Sequence, residues 1–138
     1  MKQSEREVEF MSPNDLKYHK EHTWARIKGK KATIGITHYA QESLGDIVYL
    51  ELPEVDTEVD KDAEMAEIES TKATSAIIAP VSGKIIEVNE ELAESPEIIN
   101  EDPYEKGWIA VIEMSDTKEI EGLLDPKDYD KYVEEEAK

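Results

Sequence analysis

In this chain of 138 residues, Lys72 is the side chain whose surroundings most invite a chemical reading. It stands in "AEIESTKATSAIIAPVSGKIIEVN", residues 66–89, between two strand-like segments, without the Gly or Asn that a tight hairpin favours. A primary amine at a hairpin apex projects away from the sheet, where an acylating enzyme can reach it and an attached arm can swing. The ordinary alternative is a solvated lysine whose ammonium simply stays in water. Ser70, Thr71, Ala73 and Thr74 are compact and leave the tip unobstructed, with Glu67 and Glu69 just before it, so the amine reads as presented.

Other residues carry less. With 34 Asp and Glu, close carboxylate pairs arise by chance, and without a pocket to shift a pKa none of them marks catalysis. His19, His22 and His38 match no ligand motif and read as surface or capping residues, so no metal site is expected. There is no Gly-x-Ser-x-Gly elbow and no Walker or Rossmann glycine pattern. The chain has no Cys, which excludes a disulfide framework, a thiolate metal site and a cysteine nucleophile. Any redox chemistry must come from a group added to the chain.

The elements that position Lys72 are mostly strands. Residues 1–11 are polar without a clear period and read as a tail, leaving 12–138 as one domain. "TWARIKG" and "KATIGIT" form a hairpin with Gly29 at the turn. "THYAQESLG" is a short helix capped by Thr37 and stopped by Gly45 in a left-handed conformation. "DIVYLELP" alternates, with Val48, Leu50 and Leu52 on one face and Ile47 and Tyr49 on the other. "EMAEIES" sets Glu67 and Glu69 opposite Ala66 and Ile68, and two short strands follow around Pro80 and the "SG" turn. Asn89 is expected to cap a short helix over "EELAES", and Gly107 and Trp108 to lead into a last strand, "GWIAVIEM". Asp125 and Pro126 then open a C-terminal helix whose Tyr129, Tyr132 and Val133 pack on the sheets. This pattern predicts a mainly β fold, a sandwich or flattened barrel with short peripheral helices.

The net charge is −18, yet residues 1–31 hold eight of the sixteen basic residues, and none lies between Ala32 and Asp60. So acidic a surface repels nucleic acid and anionic membranes and attracts basic partners. No apolar run approaches the roughly 18 residues of a membrane span, and the first ten residues are too charged for a signal peptide. A soluble, cytoplasmic monomer is the expectation.

The stretch "ESTKATSAIIAPVSGKIIEVN" resembles the lipoyl-lysine hairpin of the glycine cleavage system H proteins, a Glu-Ser-x-Lys-Ala pattern followed by Pro-x-Ser-Gly. The likeness extends through "YHKEHTWARI", "ATIGITHYAQESLGDIVYLELPE" and "VNEELAESPEIINEDPYEKGW" to the C-terminal helix, roughly residues 18–134. It implies a fold of the biotinyl and lipoyl carrier type, with lipoate amide-linked to Lys72 and with Glu69, Ser70, Thr71 and Ala73 framing the attachment site. It implies a shuttle and not an enzyme, with no catalytic residues of its own. The partners implied are glycine decarboxylase, aminomethyltransferase, dihydrolipoamide dehydrogenase and a lipoate ligase or lipoyl transferase. The lack of Cys agrees, because a protein thiol could exchange with the cofactor's sulfurs.

Family members usually have His-Glu-Trp where this chain has His22, Thr23 and Trp24, and an acid where it has Ala76. The resemblance makes His22, Thr23 and Ala76 candidates for arm docking, with both family acids replaced by neutral residues. An amine docked there lacks charge-assisted contacts of about 1.5–3 kcal/mol each. Two alternatives therefore accompany the glycine cleavage reading. One is a related lipoate carrier in sulfur oxidation with a heterodisulfide-reductase-like complex, whose cargo needs no counter-ion. The other is an interaction module with unmodified Lys72. A biotin carrier fits less well, since its lysine is usually flanked by methionines.

Overall fold

The structure is a computed structural model that describes residue 13 and residues 15–136. The expected tail, residues 1–11, lies outside the described residues. Nine strands form two antiparallel sheets among the described residues. Strands β1 (Lys17–Tyr18), β2 (Thr23–Lys28), β3 (Lys31–Ile36), β9 (Ala110–Met114), β8 (Gly83–Val88) and β5 (Glu58–Val59) make one sheet in that order. Strands β4 (Ile47–Glu51), β6 (Glu64–Ser70) and β7 (Thr74–Ile78) make the other. The result is a sandwich with open edges and not a closed barrel. Its core joins Ile34, Ile36 and Ile112 from the larger sheet to Leu50, Ile68 and Ile77 from the smaller.

Local chemistry explains most boundaries. Lys28 pairs with Lys31, so Gly29 (φ 63°) and Lys30 close the first hairpin as expected. Thr37 caps helix α1 (His38–Leu44), its hydroxyl accepting from the Ala40 N–H at 3.2 Å. Gly45 ends that helix at φ 86° and ψ −155°. This is not the expected left-handed stop but an extended positive-φ conformation essentially confined to glycine. Trp24 is fully buried, and its indole lies over Gly35, where a Cβ would come within 2.4 Å of the ring.

Two further expectations need correction. Strict alternation in "DIVYLELP" fails at a bulge between Ile47 and Tyr49, which turns Ile47 and Leu50 inward together. Val48 and Tyr49 are left 50% and 53% exposed. Asn89 caps no helix by its side chain: α2 (Glu91–Glu94) begins after Glu90, and the Asn89 amide donates to the Lys106 and Trp108 carbonyls at 3.0 and 2.8 Å. Helix α3 (Ile98–Glu101) comes next and lies beside α1. Helix α4 (Pro126–Glu136) does not lie on the main core but joins a second cluster of Leu16, Tyr18, Trp24 and Tyr129. There Tyr129 stacks on Tyr18 of β1 at 4.6 Å.

Candidate functional site

Lys72 sits at the apex of the β6–β7 hairpin and is exposed. Glu69 pairs with Thr74, which leaves a short turn that Ser70 holds together. The buried Ser70 hydroxyl accepts from the N–H groups of Lys72 and Ala73, both at 3.1 Å, and donates to the Ala73 carbonyl at 3.2 Å. The Ser70 N–H also donates to that carbonyl, at 2.8 Å. Neither Thr71 nor Lys72 has positive φ; among the described residues the non-glycine residues that do are His22, Asp56 and Asp62. A side-chain hydroxyl therefore closes the reversal, and the tip needs no Gly or Asn.

The hairpin is braced from one side. The Thr71 N–H donates to the Asp46 carbonyl at 3.0 Å, tying the tip to the segment after α1. The Lys72 side chain lies along Gly45, where a Cβ would stand 3.2 Å from Cε, 3.6 Å from Cδ and 3.7 Å from Nζ. Gly45 is thus a cradle for the stem of this lysine. Thr71, Ala73 and Thr74 are exposed around it, and Glu67 and Glu69 point outward from β6.

Beside the hairpin is a groove of about 190 Å³. Ile36, Ile68 and Ile77 supply apolar wall, and Leu44 joins it to the Gly45 cradle. His22, Thr23 and Ala76, far apart in sequence, all line it. The Thr23 hydroxyl donates to the Ile78 carbonyl at 2.9 Å, and Ala76 offers no polar side chain. His22 adopts φ 70° and is held on both ring nitrogens, Nδ1 with the Tyr129 hydroxyl at 2.7 Å and Nε2 with the Glu136 carboxylate at 2.8 Å. Tyr129 also meets the Thr37 hydroxyl at 2.7 Å, and burial raises its phenol well above the ordinary value.

The histidines were expected in surface or capping roles, and they lie partly inside the fold. All three are half-buried with polar partners: His19 Nε2 meets Asp62 at 2.6 Å, and that hydrogen bond pulls the Asp62 carboxyl below its usual range. His38 opens α1 and bonds Gln41 at 3.1 Å. Among the described residues no three His, Cys, Asp or Glu could hold a metal. Sequence reasoning missed the Gly45 cradle, the His22–Tyr129–Thr37 chain and Glu21, a further groove residue. The Gly after α1 was a signal for the first; the others come from residues brought together by the fold.

The family model for the glycine cleavage H-protein matches residues 16–136. The glycine cleavage system H protein of Anaeromyxobacter sp. (strain K) is 53% identical over 124 residues, covering 90% of this chain and 97% of that protein. That of Carboxydothermus hydrogenoformans is 52% identical over 125 residues, covering 91% and 96%. The crystal structure of a glycine cleavage system H protein from Mycobacterium marinum superposes with a TM-score of 0.80 at 37% identity, covering 87% of this chain and 97% of that one.

Proposed function

This chain belongs to the glycine cleavage H-protein family, and from that premise we propose that it carries lipoate on Lys72 and shuttles the aminomethyl group of glycine. It is a carrier and not a catalyst, working with the other glycine cleavage components. The observation that carries the assignment to Lys72 is one exposed primary amine on a turn held by Ser70, its stem lying along Gly45. An amide on Nζ extends an unbranched chain from that stem, and the adjoining groove offers apolar wall for it. The residues present therefore fit the group.

The lipoyl group, once attached, supplies the pair of sulfurs that accept the carbon unit and are later reoxidised. The protein's own residues do the rest. Ser70 and the Thr71–Asp46 bond fix the base of the arm, Gly45 gives its stem room to lie, and the groove shields its far end from water between visits. Glycine decarboxylase, aminomethyltransferase and dihydrolipoamide dehydrogenase are the proposed successive partners, with a lipoate ligase or lipoyl transferase for the attachment. The lack of Cys suits this work, since a thiol on the carrier could exchange with the cofactor.

A specific observation favours a second reading: Thr23 and Ala76 put no charge into the groove. A lipoate carrier for sulfur-bearing cargo would need none there. Glycine-dependent CO₂ exchange with a competent decarboxylase separates the two. Exchange supports the aminomethyl shuttle; its absence beside normal reduction by a dehydrogenase rejects it. Intact mass of protein from its own host should show a lipoyl adduct on Lys72, and Lys72→Arg should abolish both adduct and exchange. A fully active Lys72→Arg protein overturns the arm.

A further inference from the structure

We infer that Asn100 is a positioning residue for the acylation of Lys72, fixing the link between α1 and β4 that supports both the hairpin tip and the lysine stem. This rests on the reading of Lys72 as the lipoyl-bearing residue. Past the last β4–β6 pair, Ile47 with Ser70, a single hydrogen bond among the described residues ties the tip to the rest of the fold. It runs from the Thr71 N–H to the Asp46 carbonyl at 3.0 Å. The lysine stem lies beside Gly45. Such a support places the amine only as well as residues 45–47 are themselves held. The Asp46 side chain is exposed and makes no hydrogen bond or ion pair among the described residues, so it does not hold them.

Asn100 does. Its side-chain amide donates to the Gly45 carbonyl at 2.9 Å and accepts from the Ile47 N–H at 2.8 Å, bridging the residues on either side of Asp46. The amide also donates to Gln41 Oε1 at 2.9 Å, which brings the last turn of α1 into the same clamp. Both donors and the acceptor of one side chain are thus engaged. The clamp has a firm base, because Asn100 lies on α3, whose Ile99 is fully buried in the main core. It is also needed where it stands. Gly45, at φ 86° and ψ −155°, is the most pliant residue of the link, and with its carbonyl and the Ile47 N–H both tied, the Asp46 carbonyl between them keeps its direction.

The consequence is a preorganised amine. Acylation forms an amide between the lipoate carboxyl carbon and Nζ, breaks the acyl–oxygen bond to AMP in the activated donor, and passes the ammonium's two departing protons to solvent. A ligase must meet Nζ at a defined place, and a tip already fixed has little freedom left to lose on docking. Loosened at residues 45–47, the same tip has to be ordered at each encounter.

The test compares Asn100→Ala with Asn89→Ala in the full-length protein. The Asn89 side chain also makes two hydrogen bonds, to the Lys106 and Trp108 carbonyls, but none to the hairpin or to residues 45–47. Asn89→Ala therefore reports lost stability without lost position. With lipoate, ATP and a lipoate ligase, Asn100→Ala should lower kcat/KM for acylation of Lys72 about tenfold, read by intact mass, while Asn89→Ala stays within about twofold of the unsubstituted protein. The Thr71 amide should also exchange about tenfold faster in Asn100→Ala, measured against the Ile68 amide in the same sample. Should Asn100→Ala not fold, Asn100→Asp takes its place with the same readouts, since it keeps an acceptor for the Ile47 N–H and loses both donors. Unslowed acylation in the Asn100 variant, equal slowing in Asn89→Ala, or an unmoved Thr71 exchange ratio overturns the role of Asn100 and leaves the carrier reading intact. Failure of the ligase to acylate Lys72 in the unsubstituted protein overturns the carrier reading, and this inference with it.

Discussion

At the scale of single residues, the site depends on three residues besides Lys72. Ser70 replaces the turn-forming residues that the tip lacks. Ser70→Ala should cost about 1 kcal/mol in urea unfolding and speed hydrogen exchange at the Lys72 and Ala73 amides, the two N–H groups its hydroxyl receives. Gly45→Ala forces a Cβ into an almost glycine-only conformation and against the Lys72 stem. It should destabilise by about 1–3 kcal/mol and slow acylation of Lys72 by lipoate ligase. Tyr129 carries a pH signature. Its phenol ordinarily titrates at 10.0, and burial raises it, so the fold holds the neutral form. The resulting stability is intact below pH 10, where both states are protonated, and is lost as pH climbs toward the raised value. Tyr129→Phe should flatten that alkaline decline in a series of denaturation curves, though it gives up the bonds to His22 and Thr37.

At the scale of elements, the sequence made legible whatever is decided within a few residues. The Gly29 hairpin, the Thr37 cap and the outward Glu67 and Glu69 follow from turn chemistry, capping and alternation, and all appear as read. The bulge in β4 was hidden because Ile47, Val48, Tyr49 and Leu50 are all apolar, so the sequence alone does not say which of them turn inward; only pairing with β6 shows where a residue is skipped. Asn89 misled for a related reason: the carbonyls that claim its amide, Lys106 and Trp108, arrive from a distant segment. The groove was legible only in part. Its members His22, Thr23 and Ala76 came from family resemblance, whereas Glu21 needed the turn that places it. Helix α4 braces this region through Tyr129 and Glu136. Truncation after Asp125 uncovers Tyr18 and Trp24 and should cost about 3 kcal/mol or more in thermal or urea unfolding.

At the scale of the whole molecule, charge governs encounter. The net charge is −18, and a second, open cleft of about 800 Å³ at the far end of β6 is lined by six acids, among them Glu51, Glu58 and Glu64. Association with a basic partner face should slow about tenfold between low and physiological ionic strength, a dependence that stopped-flow mixing with glycine decarboxylase would measure. No slowing would remove long-range steering from the account. Once partners have met, geometry takes over. Because the Thr71–Asp46 bond anchors the hairpin tip to the loop behind it, the base of Lys72 behaves as a hinge pin set in a wall. The volume swept by any group grafted there is then bounded by the length of the graft alone, and each partner must bring its own pocket to within that radius.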